Sequence, residues 1–250
     1  MLSCRACICL GIQVSLYDIV MIIGVEMTAS LSQQMNLTEV AAVSEQVQAD
    51  LPEPVRLRVY RSMSWLKQAQ QSPEQDMQFM GLWVAFNAVY ARDLQVRQVG
   101  GDMAGFRDFL QKMCRLQADV LTHLVWEIYP QGIRQLLDNQ YVFQAYWDYH
   151  NGLISEDAWQ ESFQKAKRRS LEALKNKDTS AILMMVYERI YTLRNQIFHG
   201  GATCGSKVNR LQLKSALGIL SDTIPVFLTV MLQHPNEALW GKPYYPWVKD

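Results

Sequence analysis

A chain of 250 residues can hold one large domain or two small ones, with ample material for a core. Its 49% hydrophobic and 19% charged residues exclude a disordered chain. Its formal net charge of zero supplies no global field towards nucleic acid, so any RNA contact needs a local patch.

Patterns of 3.6 residues dominate. Long period-two alternation is missing, and no Asn-Gly or Asp-Gly hairpin joins two strand patterns, so the expected class is all-α. No repeat of 20–50 residues emerges. Residues 1–53 read as a leader followed by a short amphipathic helix. The stretch 6–25 is apolar and long enough to span a bilayer, but Gln13 and Asp18 interrupt it. It is also an imperfect signal peptide with one early Arg5. The favoured reading is a start at Met27, because residues 28–36 resemble an ordinary polar amino-terminus. Cys4, Cys7 and Cys9 fall in this leader, with Cys114 and Cys204 far away. Cys4-x-x-Cys7 finds no second pair at ligand spacing, so neither metal nor cofactor is expected. The odd, scattered set suits a reducing, cytoplasmic compartment, with a membrane not among the expected partners.

Residues 37–49 read as the amphipathic helix, and Pro52 and Pro54 then break the chain. A main domain is expected over 54–234. Pro54 is placed at the start of a helix to about Gln71, and Ser72-Pro73 as cap and first residue of the next. That helix carries Trp83 to Tyr90, apolar nearly all round and so expected to be buried. Asn87 in its middle must find partners or cost about 1–3 kcal/mol. It reads as a satisfied core residue bracing a neighbouring helix or as a residue that orients the helix bearing Arg194 and His199. A turn at 99–102 precedes helix over 103–129, broken near Ala118. Pro130 and Gly132 break the chain again, and 133–150 are expected as one helix with Tyr141, Phe143, Tyr146, Trp147 and Tyr149. Such a stripe can stack bases, but core or subunit interface is the commoner use. His123 and His150 lack partners and read as structural or surface residues.

Ser155 caps the following helix, which bears the basic cluster Lys165, Lys167, Arg168, Arg169, Lys175 and Lys177. It reads as a solvated face, partly balanced by Glu156, Asp157, Glu161 and Glu172, or as a phosphate-contacting strip. Asp178, Thr179 and Ser180 offer caps for a helix over 179–199. On its wheel Ile182, Val186, Ile190, Leu193 and Ile197 share an apolar face. Glu188, Thr192, Asn195 and His199 line the other side, and Asn195 and His199 are i,i+4 neighbours. Arg194 lies roughly 140° from His199, so the two meet only if the last turn opens or a second subunit completes the site. Gly200 and Gly201 form a C-cap, leaving His199 where the negative helix end favours imidazolium. This is a plain cap or a general acid/base. Beyond a loop at 202–205, Ser206 or Asn209 starts a last helix to about Gln233, expected to kink at Pro225. The aromatic tail 235–250 is expected to pack back on the domain.

Arg194-Asn195-x-x-x-His199 resembles the Arg-x4–6-His signature of the HEPN superfamily. Leu82-Trp83-Val84-Ala85-Phe86-Asn87-Ala88-Val89-Tyr90 resembles the earlier aromatic helix of its Apea-like branch. The resemblance covers roughly 54–234. It implies a HEPN-type helical bundle with extra N-terminal and peripheral helices, forming a homodimer with paired motif helices. The activity it implies is metal-independent endoribonuclease cleavage of RNA such as tRNA or mRNA. His199 would be the acid/base, Arg194 would stabilise the phosphate, and Asn195 would orient His199 or hold phosphate. Lys207, Arg210, Lys165, Arg168 and Arg169 would contact substrate, with Asn87, Glu188 and Thr192 behind the catalytic groups. A toxin or defence role with an antitoxin partner is one expectation. A non-catalytic RNA- or nucleotide-binding module and a helical interaction protein are the alternatives.

Overall fold

The computed structural model describes Val40, residues 51–91, 102–235 and 240–243, Tyr245 and Val248, with the backbone alone for 102–104. The expected leader, most of the helix at 37–49 and most of the turn at 99–102 lie outside the described residues. The chain divides into units 1–34 and 35–250, and every described residue belongs to the second. The described residues form nine α-helices and no strand, so the protein is all-α. The helices are α1 (Glu53–Gln71), α2 (Gln75–Tyr90), α3 (Asp102–Leu116), α4 (Ala118–His123), α5 (Pro130–Leu137), α6 (Gln144–His150), α7 (Glu156–Lys175), α8 (Thr179–Phe198) and α9 (Arg210–Gln233).

α1 and α2 form an antiparallel hairpin. Gly81 permits their close approach, because a Cβ there would lie 3.0 Å from the Cβ of Ala69. Ser72 was expected to cap α2, but it caps the end of α1, its N–H donating to Ala69 O at 3.2 Å. α2 opens two residues past Pro73, behind Glu74. The reversal consumes the Ser-Pro pair, and Gln78 donates back to Ser72 O at 2.8 Å.

The core forms where α2, α3, α8 and α9 meet. Phe86 sits within 6.2 Å of Phe106, Phe109, Tyr187 and Phe227, and each of these rings is at most 3% exposed. Burying such a ring contributes about 1.5–3 kcal/mol. The Tyr187 hydroxyl is satisfied there by Thr223 at 2.5 Å. Burial pushes its ionisation far above the ordinary phenol range. α9 has the length and composition to cross a membrane, but 78% of its apolar window is buried inside the protein. Core packing accounts for that apolarity. Pro225 lies within α9, and Thr229 Oγ1 donates to its carbonyl at 2.9 Å.

The helix expected over 103–129 breaks at Gln117, as anticipated, and then widens into a π-turn at Leu124–Ile128. The single helix expected over 133–150 is corrected to α5, a 3-10 turn (Gln140–Val142) and α6. Asn139 causes the break, its side chain accepting from Tyr141 N at 2.8 Å in competition with the helix. Phe143 stays extended and lays its ring between Phe163 of α7 (5.2 Å) and the Arg189 guanidinium of α8 (4.4 Å). Tyr146 and Tyr149 pack against Trp159, with Tyr146 edge-on at 5.2 Å, and Tyr141 and Trp147 lie against Tyr146 in turn. At the far end of the chain Trp240 is 3% exposed and lies against Phe109.

Candidate active site

α8 starts firmly. The Asp178 carboxylate accepts from Ala181 N at 2.9 Å. Ile182, Leu183, Val186, Tyr187, Ile190 and Leu193 anchor the helix in the core. Its far end is a Schellman cap. Gly201 N donates to Gln196 O at 2.7 Å and Gly200 N to Ile197 O at 3.2 Å. Gly200 takes φ 74°, which a side chain resists. The cap leaves His199 exposed at the C-cap position, just past the last helical residue Phe198.

Arg194 is half-buried on the preceding turns. Its Nη1 donates to Asn195 Oδ1 at 3.0 Å, and its guanidinium lies 4.6 Å over the Phe198 ring. Its Nε is buried without a hydrogen-bond partner. No hydrogen bond joins Arg194 to His199. The five-residue spacing still separates them by roughly 140° and about 7.5 Å of rise. Within one protomer the site therefore presents a cation and an imidazole on different faces of the helix end.

The other expected contributors scatter. Glu188 pairs with Arg107 at 2.9 Å, a part-exposed bridge of the kind worth about 0–1 kcal/mol. Thr192 is buried and donates to Glu188 O at 3.2 Å, within its own helix. Asn87 is half-exposed, so the expected burial is corrected. It shares α2 with a buried face formed by Phe79, Leu82, Phe86 and Val89, and no hydrogen bond joins its side chain to a described residue. On α7, Phe163, Ser170 and Ala173 face inward. Lys165 and Arg168 lie on the far side of that wheel, with Arg169 on its flank. All three are exposed. Lys167 turns to Asp138 at 3.5 Å instead.

Arg210 is committed elsewhere. Its two terminal nitrogens reach both oxygens of Asp76 on α2, at 2.8 and 2.9 Å. The Asp76 side chain is only 5% exposed and also accepts from Gly205 N at 3.0 Å. The Arg210 guanidinium holds this carboxyl below the ordinary carboxylate range, with the Gly205 amide assisting against the cost of burial. Asp76 in turn raises the pKa of Arg210. Lys207, on the strap at 200–209, stays exposed.

Two residues absent from the sequence reading organise this region. One is Asp76. The other is Gln196, whose Nε2 donates to Tyr141 O and whose Oε1 accepts from Asn209 Nδ2 at 3.1 Å. Gln196 lies roughly 60° and about 4.5 Å along the helix from His199, so it ties the His199 side of α8 to two neighbouring segments. Tyr141 O also accepts from Trp147 Nε1 at 2.8 Å. A polar residue among Asn195, Ile197 and Phe198 was the only signal for Gln196. Among the described residues no three His, Cys, Asp or Glu side chains gather as metal ligands. Comparison of the chain with known protein families, curated proteins and solved structures finds no match.

Proposed function

We propose that the end of α8 is the active site of an endoribonuclease of HEPN type, acting by internal attack of the RNA 2′-hydroxyl. The observation that carries this reading is the pairing, five residues apart at a capped helix end, of an exposed imidazole and a half-buried arginine whose hydrogen bond goes to its own neighbour Asn195. An imidazole titrates near neutrality and can carry protons in either direction. A guanidinium matches phosphate oxygens in charge and geometry.

In this mechanism the 2′-oxygen loses its proton and bonds to the adjacent phosphorus. The P–O5′ bond breaks, and the 5′-oxygen gains a proton. The products are a 2′,3′-cyclic phosphate and a 5′-hydroxyl. His199 carries the proton at one of these oxygens, a contribution of roughly 10²–10⁴ in rate. Arg194 stabilises the charge that accumulates on the non-bridging oxygens. Asn195 holds the guanidinium through Oδ1, so its role in this reading is to orient Arg194 rather than His199. A homodimer that pairs two α8 ends would set Arg194 of one protomer against His199 of its partner, overcoming their separation.

A second reading rests on a different observation. Arg194 is stacked on Phe198, and among the described residues no side chain hydrogen-bonds His199 to orient it. Those features suit a module that binds RNA or nucleotide without cleaving it.

The discriminating experiment incubates total tRNA and a labelled single strand in EDTA with the parent protein, Arg194→Ala and His199→Ala. Cleavage by the parent alone, with cyclic-phosphate ends and folded variants, supports the nuclease. RNA binding without cleavage by any of the three supports the module. Neither binding nor cleavage defeats both readings.

A further inference from the structure

The strap at 200–209 begins at the cap of the motif helix and ends where α9 starts, with Asn209 at φ 62°. Its tie to α2 is the nearly buried carboxylate of Asp76, which holds Gly205 N and the fork of Arg210 together. The neighbouring Asn209 then reaches Gln196, the residue that faces the same side of α8 as His199. A hydrogen-bonded path therefore runs from α2, across the strap, to the last turn of the motif helix. The same contact silences Arg210 as a phosphate ligand, because both of its terminal nitrogens face a carboxylate.

We infer that Asp76 is a positioning residue for the proposed nuclease. It fixes the strap and, through Asn209 and Gln196, the end of α8 that presents His199, while it withholds Arg210 from substrate phosphate. This inference rests on the ribonuclease reading. It separates chemistry from binding. Loss of the carboxylate loosens the His199 end, and displacement of a reacting group by about 1 Å costs on the order of 100-fold in rate. The same loss frees a cation beside the site, which strengthens RNA binding.

The test is Asp76→Asn in the full chain, with folding checked by circular dichroism. The expected result is a kcat lower by about 10- to 100-fold and a KM unchanged or reduced. The salt dependence of RNA binding should steepen by about 0.7–0.9 log unit, as one new phosphate contact would give. Asp76→Glu should recover part of kcat. A folded Asp76→Asn protein with unchanged kcat overturns the inference. So does a parallel loss of kcat and binding that merely follows the folded fraction. Should Asp76→Asn fail to fold, Asn209→Ala keeps the Asp76–Arg210 pair and cuts the strap from Gln196. It should lower kcat selectively, and an unchanged kcat there overturns the proposal. Absence of cleavage by the parent would sink the nuclease reading instead. The His199 ring resonances then decide the positioning role. Their displacement in Asp76→Asn, alongside lost protection of the Gly205 amide, supports it, and unmoved resonances overturn it.

Discussion

Two arginines meet opposite fates in this molecule. Arg58 on α1 is 1% exposed and donates to Val89 O at 3.1 Å, Ala91 O at 2.5 Å, Trp240 O at 2.7 Å and Lys242 O at 3.1 Å. It caps the carbonyl end of α2 and staples the C-terminal segment with one side chain. Arg194 is only half-buried. It spends one hydrogen bond on its neighbour Asn195, within its own helix. The first arginine is consumed by long-range contacts of the fold, and the second bonds and stacks only within its own helix. A cation can serve as a ligand only where the backbone has not already claimed it. The same distinction separates Arg210, which Asp76 has taken, from exposed Lys207.

Mutation can break this contrast, and the largest effect belongs to the available site. His199→Ala should lower RNA cleavage by roughly 10²–10⁴-fold while unfolding free energy changes by less than about 0.5 kcal/mol. Parallel urea melts and single-turnover assays would check both halves. Arg58→Met should do the reverse. Orphaned carbonyls at the end of α2 and a released tail should cost about 3 kcal/mol, with cleavage per folded molecule unchanged. Loss of activity in the folded Arg58→Met protein would erase the distinction.

Smaller changes sharpen it. Gly200→Ala forces a side chain into a left-handed position and should cost about 1–2 kcal/mol, read as a lower thermal midpoint. Acid titrates the Asp76 latch. Arg210 holds the folded pKa of Asp76 below its unfolded value. Its stabilisation is therefore complete above the ordinary carboxylate range and fades as pH falls through the folded value. Below about pH 4 the parent should lose stability more steeply than Asp76→Asn, as denaturant melts across that range would show. The smallest expected effect is that of Lys207→Ala. If this cation meets one phosphate, the salt slope of RNA binding should drop by about 0.7, and an unchanged slope would remove Lys207 from the site.

Much of the local structure was legible because its causes are local. Ser155 and Asp178 cap α7 and α8 through bonds to residues three positions on. Gly200 and Gly201 end α8 through bonds to residues three and five positions back. The misreadings arose where a distant partner or a competing turn decided the outcome. Ser72-Pro73 satisfies the rule for a helix start, yet the hairpin needed those residues for its reversal. The apolar pattern at 133–150 satisfies a helix, yet Asn139 offered the backbone another partner and Phe143 was wanted between α7 and α8. The basic residues of α7 form a cluster in the sequence, but the burial of Phe163 and Ala173 fixes only that Lys165 and Arg168 face away from the buried side of α7.

The sequence by itself determined the all-α class, the main helix stops and the Arg194–Asn195–His199 spacing, because periodicity and capping act over a few residues. Only the tertiary structure decided which charges remain available. Asp76 and Arg210 lie 134 positions apart, and Arg58 and Trp240 lie 182 apart. No local pattern encodes such pairs. Each is chosen by which polar groups the packed helices leave face to face out of water, where an unmet charge is costly.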